Sequence, residues 1–233
     1  MKRHDVVGAA DWLAARRALL EKEKEFTRAR DALTLARRAL PWERVEKRYV
    51  FDGPAGEETL EGLFAGRSQL VVYHFMFGPD WNVGCKSCSF WADNFERTVV
   101  HLAHRDVTLV AVSRAPLAKI SAFEQRMGWT FKWVSSGRSD FNFDYHVSFD
   151  PSRGEQIHNY APKTDASTEH AGISVFYRGD DGAVFHTYST YSRGLDMMNA
   201  AYHYLDLVPK GRDEDGLPNT QAWVRLRDQY DVP

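Results

Sequence analysis

Cysteine is scarce in this chain, with two in 233 residues, too few for a fold stapled by disulfides. No stretch approaches the ~20 consecutive apolar residues of a membrane-crossing helix. The opening residues, MKRHDVVGAADWLAARR, lack the apolar run of a secretory signal. A cytoplasmic address with no membrane partner is therefore expected. Charge of one sign is lacking too. Thirty basic residues face 32 acidic ones, and a net charge of -2 gives no global attraction to nucleic acid or an anionic surface. Internal repeats and low-complexity tracts are absent. Aromatic side chains are plentiful at 13%, enough to line a surface or pocket as well as a core. The length suits one large domain or two small ones.

From Asp11 to about Ala39 the pattern predicts one long helix. Trp12, Leu19, Phe26, Leu33 and Leu40 recur every seventh residue on an otherwise charged surface, with Ala15, Ala29 and Ala36 beside them. Asp11 is the expected N-cap and Pro41 the stop. So narrow an apolar row packs either on the protein's own body or on a second copy, as a homodimer contact.

Further on, Glu46–Phe51 reads as a strand closed by Asp52-Gly53-Pro54, and Leu60–Phe64 as a short helix or turn. Gln69–Phe77, QLVVYHFMF, is a strand buried on both faces. The loop Gly78–Gly84 leads into Cys85-Lys86-Ser87-Cys88 and a helix over Phe90–His104. Val107–Val112 is a second buried strand. Pro116 opens a helix with Leu117, Ile120, Phe123 and Met127 on one face, ended by Gly128. In the aromatic stretch that follows, the alternation of Phe141, Phe143 and Tyr145 favours a strand, lining a pocket or filling core. Ile173–Tyr177 and Val184–Tyr188 flank Gly179-Asp180-Asp181-Gly182 as a hairpin. Leu195–Leu207 is a closing helix before Pro209, and a polar tail holds one short helix near Trp223–Leu226. The expected organisation is a helical extension over 1–42, an α/β domain over 43–210 and a tail over 211–233. A βαβ half followed by a ββα half is the thioredoxin-like arrangement, a βαβαββα core with a mixed central sheet flanked by helices.

The two cysteines sit three apart, where a buried strand gives way to a helix. At that spacing both lie on one helical face, close enough for their sulfurs to join. The first turn offers unpaired N–H groups and the positive end of the helix dipole. Lys86 adds a nearby positive charge. Together these pull a thiol from ~8.5 toward 7 or below. Cys85, at the loop end, is expected to attack, and Cys88, one turn in and shielded by Phe90 and Trp91, to resolve the intermediate. Two other readings stand beside this one: a reduced pair with no redox task, and a metal site. Structural zinc takes four ligands, and His74, His101 and His104 show no ligand spacing toward the pair. Trp81, in the loop before the pair, is either part of a docking surface or packing. Tyr188, Tyr191 and Arg193, near the hairpin's end, stay undecided.

The strings WNVGCKSCSFWADNF, QLVVYHFMF, VTLVAVSRAPLAKI, GISVFYRGDDGAVFHTYSTYSRGLD and LPWERVEKRYVFDGP resemble a bacterial thioredoxin-like family catalogued as a domain of unknown function and held to contain dithiol–disulfide oxidoreductases. The resemblance implies the fold, a disulfide-bearing protein or small-molecule thiol as substrate, and neither a bound organic cofactor nor a metal. It also implies that Gly172-Ile173-Ser174, just before the hairpin, lies against the dithiol and supplies backbone groups to an extended substrate. Trp81 and Lys86 complete the expected substrate-binding set. The rival is a non-catalytic or metal-binding protein on the same scaffold. Departures are visible. Gly84 stands where thioredoxins carry Trp. No proline occupies 172–174, where thioredoxins carry one. Gly78 and Asn82 stand where peroxiredoxins carry Pro and Thr.

Overall fold

The charged N-terminal stretch forms helix α1, Ala9–Arg38, in the computed structural model, which describes residues 4–231. The helix starts from Gly8, and Asp11, expected as the cap, lies instead in the first turn, where its charge meets the positive helix end. Arg16–Glu23 and Lys24–Glu21 pair along its surface. The helix buries none of its residues, and Trp12 and Phe26 are 60% and 69% exposed. α1 belongs to the first of two compact units, Met1–Pro41; the second is Trp42–Pro233. Among the described residues no helix is long and apolar enough to cross a membrane.

The second unit opens with β1 (Glu43–Arg44). Next comes a hairpin of β2 (Val50–Gly53) and β3 (Gly56–Thr59), where one longer strand was expected. Helix α2 (Leu60–Leu63) is capped by the Thr59 hydroxyl, which accepts from the Gly62 N–H. Strand β4 (Gln69–His74) leads to α3 (Lys86–Phe95) and α4 (Val99–Ala103), two helices in place of the single one expected over 90–104. Strand β5 (Val107–Ser113), α5 (Leu117–Met127) and β6 (Lys132–Ser135) follow. Gly128 ends α5 at φ +62°, a left-handed position that glycine adopts without a Cβ penalty.

Phe141–Asp144 is a short helix, α6, and not a strand. The Asp140 carbonyl accepts from both Phe143 and Asp144, which closes a helical turn. Phe141 and Tyr145, four apart, then pack with tilted rings, centroids 4.6 Å apart, over the sheet, while Phe143 lies under the guanidinium groups of Arg114 and Arg153. The short pair β7 (Ile157–His158) and β8 (Ala161–Pro162) precedes the hairpin of β9 (Gly172–Arg178) and β10 (Val184–Tyr191). The expected closing helix is a 3-10 segment, Ser192–Met198, then α7 (Ala200–Leu205) with Asn199 as its cap. No helix forms at Trp223–Leu226; a 3-10 turn follows at Arg227–Gln229.

The large sheet runs β1-β10-β9-β4-β5-β6-β2-β3, parallel between β4 and β5 and between β5 and β6, antiparallel elsewhere. Its centre, β10-β9-β4-β5, with α3 linking the parallel pair and α7 closing the chain, is the thioredoxin-like core; β6 extends it. Alternation along β4 sends Leu70, Val72 and His74 to one face and Tyr73 and Phe75 to the other. The second face packs against α3 and α5 through a dense aromatic layer, with Phe75 and Trp133 only 4.4 Å apart. The residues 211–231 pack onto this unit, burying Val224 and Leu226.

Candidate active site

Beyond His74 the chain still runs beside β5: Phe75 donates to the Val112 carbonyl at 2.9 Å, and the Phe77 carbonyl accepts from Ala115 at 2.8 Å. The loop Gly78–Gly84 then doubles back. Lys119 of α5 pins it, donating to the carbonyls of Pro79 (2.9 Å) and Trp81 (3.0 Å). Gly84 is threaded between rings, and a Cβ there would stand 2.7 Å from Phe123 and 2.8 Å from Phe75. Only glycine brings the backbone this close, which gives a physical reason for its departure from the thioredoxin pattern. Cys85 follows as the N-cap residue of α3, its N–H bonded to the Met76 carbonyl at 3.1 Å.

Both cysteines are free thiols. Cys85 is partly exposed and Cys88 is buried. A hydrogen bond from the Cys88 thiol lowers the Cys85 thiol to about 6, helped by the N–H groups of Cys88 and Ser87 and by the Ser87 hydroxyl, against the opposing effect of burial. Burial pushes Cys88 well up, and its role as donor to Cys85 pushes the same way. The Met76 N–H, 3.3 Å from the sulfur, acts the other way. The pair thus divides into an ionisable outer thiol and a protonated inner one. The Lys86 ammonium donates to the Ala222 carbonyl at 3.4 Å.

A cleft of about 280 Å³ opens beside the inner thiol, walled by Cys88, Ser87, Tyr73, Met76, Ala171 and Arg193 among others, with Cys85 outside its wall. His158 and His170 also face it, stacked at 4.2 Å and 15°. Burial lowers His170, and the neighbouring His158 adds to that. The expected substrate-binding residues are dispersed. Trp81 packs against Gly78 and the edge of the aromatic layer. Gly172, Ile173 and Ser174 lie within β9, paired with His74, Tyr73 and Val72 of β4 on one side and with β10 on the other. A strand flanked on both sides has its backbone groups committed to the sheet. That corrects the expectation that this segment offers them to a substrate. Ile173 packs into the layer beneath the dithiol. Ser174 is on the opposite face, where its hydroxyl meets His74 Nε2 at 2.9 Å and the Ser189 hydroxyl at 2.8 Å. The cleft wall is instead formed by the two preceding residues, His170 and Ala171.

His74 therefore points away from the cysteines. Among the described residues no three His, Cys, Asp or Glu side chains converge on a point where a metal ion would sit. The sequence reading passed over Tyr73, Met76, Lys119 and His170. Only Tyr73 carried a signal, a phenol inside a run read as buried on both faces, where its O–H must find a partner.

A family model described as bacterial protein of unknown function (DUF899) matches residues 1–230. No curated protein matches the sequence. Among solved structures, the chain is similar to the peroxidoxin BcpB of Mycobacterium tuberculosis, with 12% identity, 69% of this chain and 94% of that one covered, and a TM-score of 0.46. It is also similar to peroxiredoxin Q of Xanthomonas campestris (15%, 68% and 96%, TM-score 0.42) and to a yeast mitochondrial 1-Cys peroxiredoxin (13%, 72% and 78%, TM-score 0.45). Likenesses this distant carry nothing about the chemistry of the site.

Proposed function

We propose that this chain, which belongs to the bacterial DUF899 family, is a dithiol–disulfide oxidoreductase that uses Cys85 as nucleophile and Cys88 as resolving thiol. The observation that carries this reading is the opposite tuning of the two sulfurs one helical turn apart: Cys85 held to about 6 by donors around it, Cys88 kept protonated by burial. At neutral pH the first is then mostly thiolate, the species that attacks a disulfide.

Cys85 thiolate attacks one sulfur of a substrate disulfide, forming a mixed disulfide and expelling a substrate thiolate. That thiolate takes up the Cys88 proton. The Cys88 sulfur then attacks Cys85 and releases the second substrate thiolate. The substrate gains two electrons and the dithiol loses two; two equivalents of an external thiol restore it and leave as their own disulfide. The substrate class is a disulfide-bearing protein or a small disulfide, and the setting proposed is the cytoplasm, where thiols are kept reduced. A second copy of the chain is the partner proposed for α1, on the seven-residue recurrence of Trp12, Leu19, Phe26, Leu33 and Leu40.

Equilibration of the protein with glutathione buffers of graded potential tests the reading. A single two-electron transition between free thiols and one Cys85–Cys88 disulfide supports it; thiols that stay reduced at every potential, or that link only between molecules, refute it.

A further inference from the structure

Cys88 is 2% exposed and stands on the wall of the cleft, so a proton it loses leaves into that space. Three side chains on the wall carry an imidazole or a carboxylate: His158, His170 and Asp196. Asp196 is spent on two guanidiniums, Arg193 at 2.7 Å and Arg212 at 3.0 Å. The two histidines remain, and their hydrogen bonds fix which nitrogen of each is basic. A carbonyl only accepts, so His158 donates from Nδ1 to the His146 carbonyl at 3.1 Å and keeps its lone pair on Nε2. The Asp165 carboxylate also only accepts, with both oxygens 3.1 Å from His170 Nε2, so His170 keeps its lone pair on Nδ1.

The rings are stacked at 4.2 Å, a separation at which two imidazolium charges repel, so the pair takes up one proton and not two. That proton belongs on His170, whose partner is a carboxylate, and not on His158, whose partner is neutral. The arrangement is rigid. His170 N–H donates to the Val147 carbonyl at 2.8 Å, and Phe149 meets the rings of His158 and His170 edge-on at 5.7 and 5.4 Å. Asp165 is itself held by the Ser167 N–H at 2.8 Å and the Lys163 ammonium at 3.0 Å. Glu169, next in the chain, turns instead to Ser148 and Arg114. The charged groups facing His170 are thus Asp165, which favours its protonated form, and Lys163 and His158, which oppose it. Cys88 and Tyr73 stand on the same cleft wall.

We propose that His170, oriented by Asp165, accepts the Cys88 proton in the resolving step and passes it to the substrate thiolate already expelled. The proposal rests on the dithiol reading above. The Cys88 proton moves across the cleft to His170 Nδ1. The Cys88 sulfur forms its bond to the Cys85 sulfur, and the bond from Cys85 to the substrate sulfur breaks with its electron pair on the departing thiolate. The imidazolium, beside Asp165, then returns its proton to the first thiolate and is neutral again for the next turnover. Asp165 stays ionised throughout and is a positioning residue.

The test is a single-turnover reaction of the full chain with oxidised glutathione, quenched in acid and read by mass spectrometry across a range of pH. Wild type, His170→Asn and Asp165→Asn are compared. The glutathione adduct on Cys85 should form in all three. In wild type its decay to the Cys85–Cys88 disulfide should quicken as pH rises through the deprotonation of His170. In His170→Asn that limb should vanish and decay at neutral pH should be about a hundredfold slower. In Asp165→Asn the limb should stay, with its midpoint about one pH unit lower, because the carboxylate that favours the imidazolium is gone. Loosened packing alone does not move a midpoint. Asp165 is a half-exposed side chain, so this second arm decides if His170→Asn does not fold. Resolution at the wild-type rate in a folded His170→Asn protein, or an unmoved midpoint in Asp165→Asn, overturns the role of His170. Absence of any adduct on Cys85 in wild type overturns instead the dithiol reading beneath it.

Discussion

Met76 holds both cysteines through its own backbone: its N–H lies 3.3 Å from the Cys88 sulfur, and its carbonyl accepts the Cys85 N–H at 3.1 Å. The residue sits just past β4, in the extension that runs beside β5, so the rigid centre of the sheet fixes where the first turn of α3 begins. The loop Gly78–Gly84 between them is pinned from above by Lys119. The geometry of the dithiol is therefore set by the sheet and α5, and only secondarily by the helix that carries it.

Alkylation of Cys85 by iodoacetamide should follow its thiolate. The rate is expected to rise as pH increases through about 6. The first cause of that low value is the hydrogen bond from Cys88, so Cys88→Ala should move the midpoint upward toward the ordinary thiol range near ~8.5. The sign for stability is the same: a depressed folded-state value contributes stability above the unfolded value, and that stability is lost as pH falls through about 6. An unchanged midpoint in Cys88→Ala would remove the inner thiol as the source of the tuning.

Gly84→Ala is expected to destabilise the second unit by about 1–3 kcal/mol, the usual cost of overpacking. The added carbon would stand 2.7 Å from one buried ring and 2.8 Å from another. Because the next residue is Cys85, the variant should also slow disulfide exchange. Denaturant titration and exchange kinetics measure the two effects, and a variant of wild-type stability would contradict the close approach.

The cysteine pair, the buried strands over 69–77 and 107–112 and the hairpin turn were legible because each is a local signal: spacing, an apolar run, a pair of glycines. What was not legible is non-local. Met76 donates to Cys88 across a strand-to-helix connection, and no spacing announces such a donor. Alternation at 141–145 pointed to a strand, but Phe141 and Tyr145 are also four apart, and the helical alternative won because both rings then cover the same sheet face. The tail looked polar enough to be loose. Yet Glu214 gathers the Tyr202 hydroxyl at 2.9 Å, the Trp223 N–H at 2.6 Å and the Gln221 N–H at 3.0 Å onto one oxygen, and Val224 is buried behind it. A single carboxylate organises that segment, and composition does not reveal it.

Glu169 should make folding stability depend on pH. Burial raises its carboxyl to about 7 despite the Ser148 hydroxyl and Arg114 beside it. A carboxyl raised on folding favours the folded state when protonated. Its contribution is full below the unfolded value near ~4.3 and is lost as pH rises through about 7. Glu169→Gln should flatten this dependence, removing roughly 2–4 kcal/mol of stability difference between acid and neutral pH. Parallel stability curves for the two proteins would show that the carboxylate is charged at neutral pH and stabilised by Arg114.

Phe26→Glu is expected to abolish association through α1, since Phe26 lies midway along the apolar row and is largely exposed. Light scattering should give a dimer for wild type and a monomer for the variant, with the dithiol reaction unchanged. A wild-type monomer at tens of micromolar would exclude the homodimer.

The assignment of roles to the two sulfurs has the most direct test in single-cysteine variants. Cys88→Ser and Cys85→Ser are each incubated with a small disulfide at neutral pH and followed by mass spectrometry. Cys88→Ser should capture the probe and stall as a stable mixed disulfide on Cys85. Cys85→Ser should stay unmodified, because its remaining thiol is buried and protonated. Faster trapping by Cys85→Ser would reverse the roles, and capture by Cys88→Ser no faster than by an unstructured thiol would contradict the redox function itself.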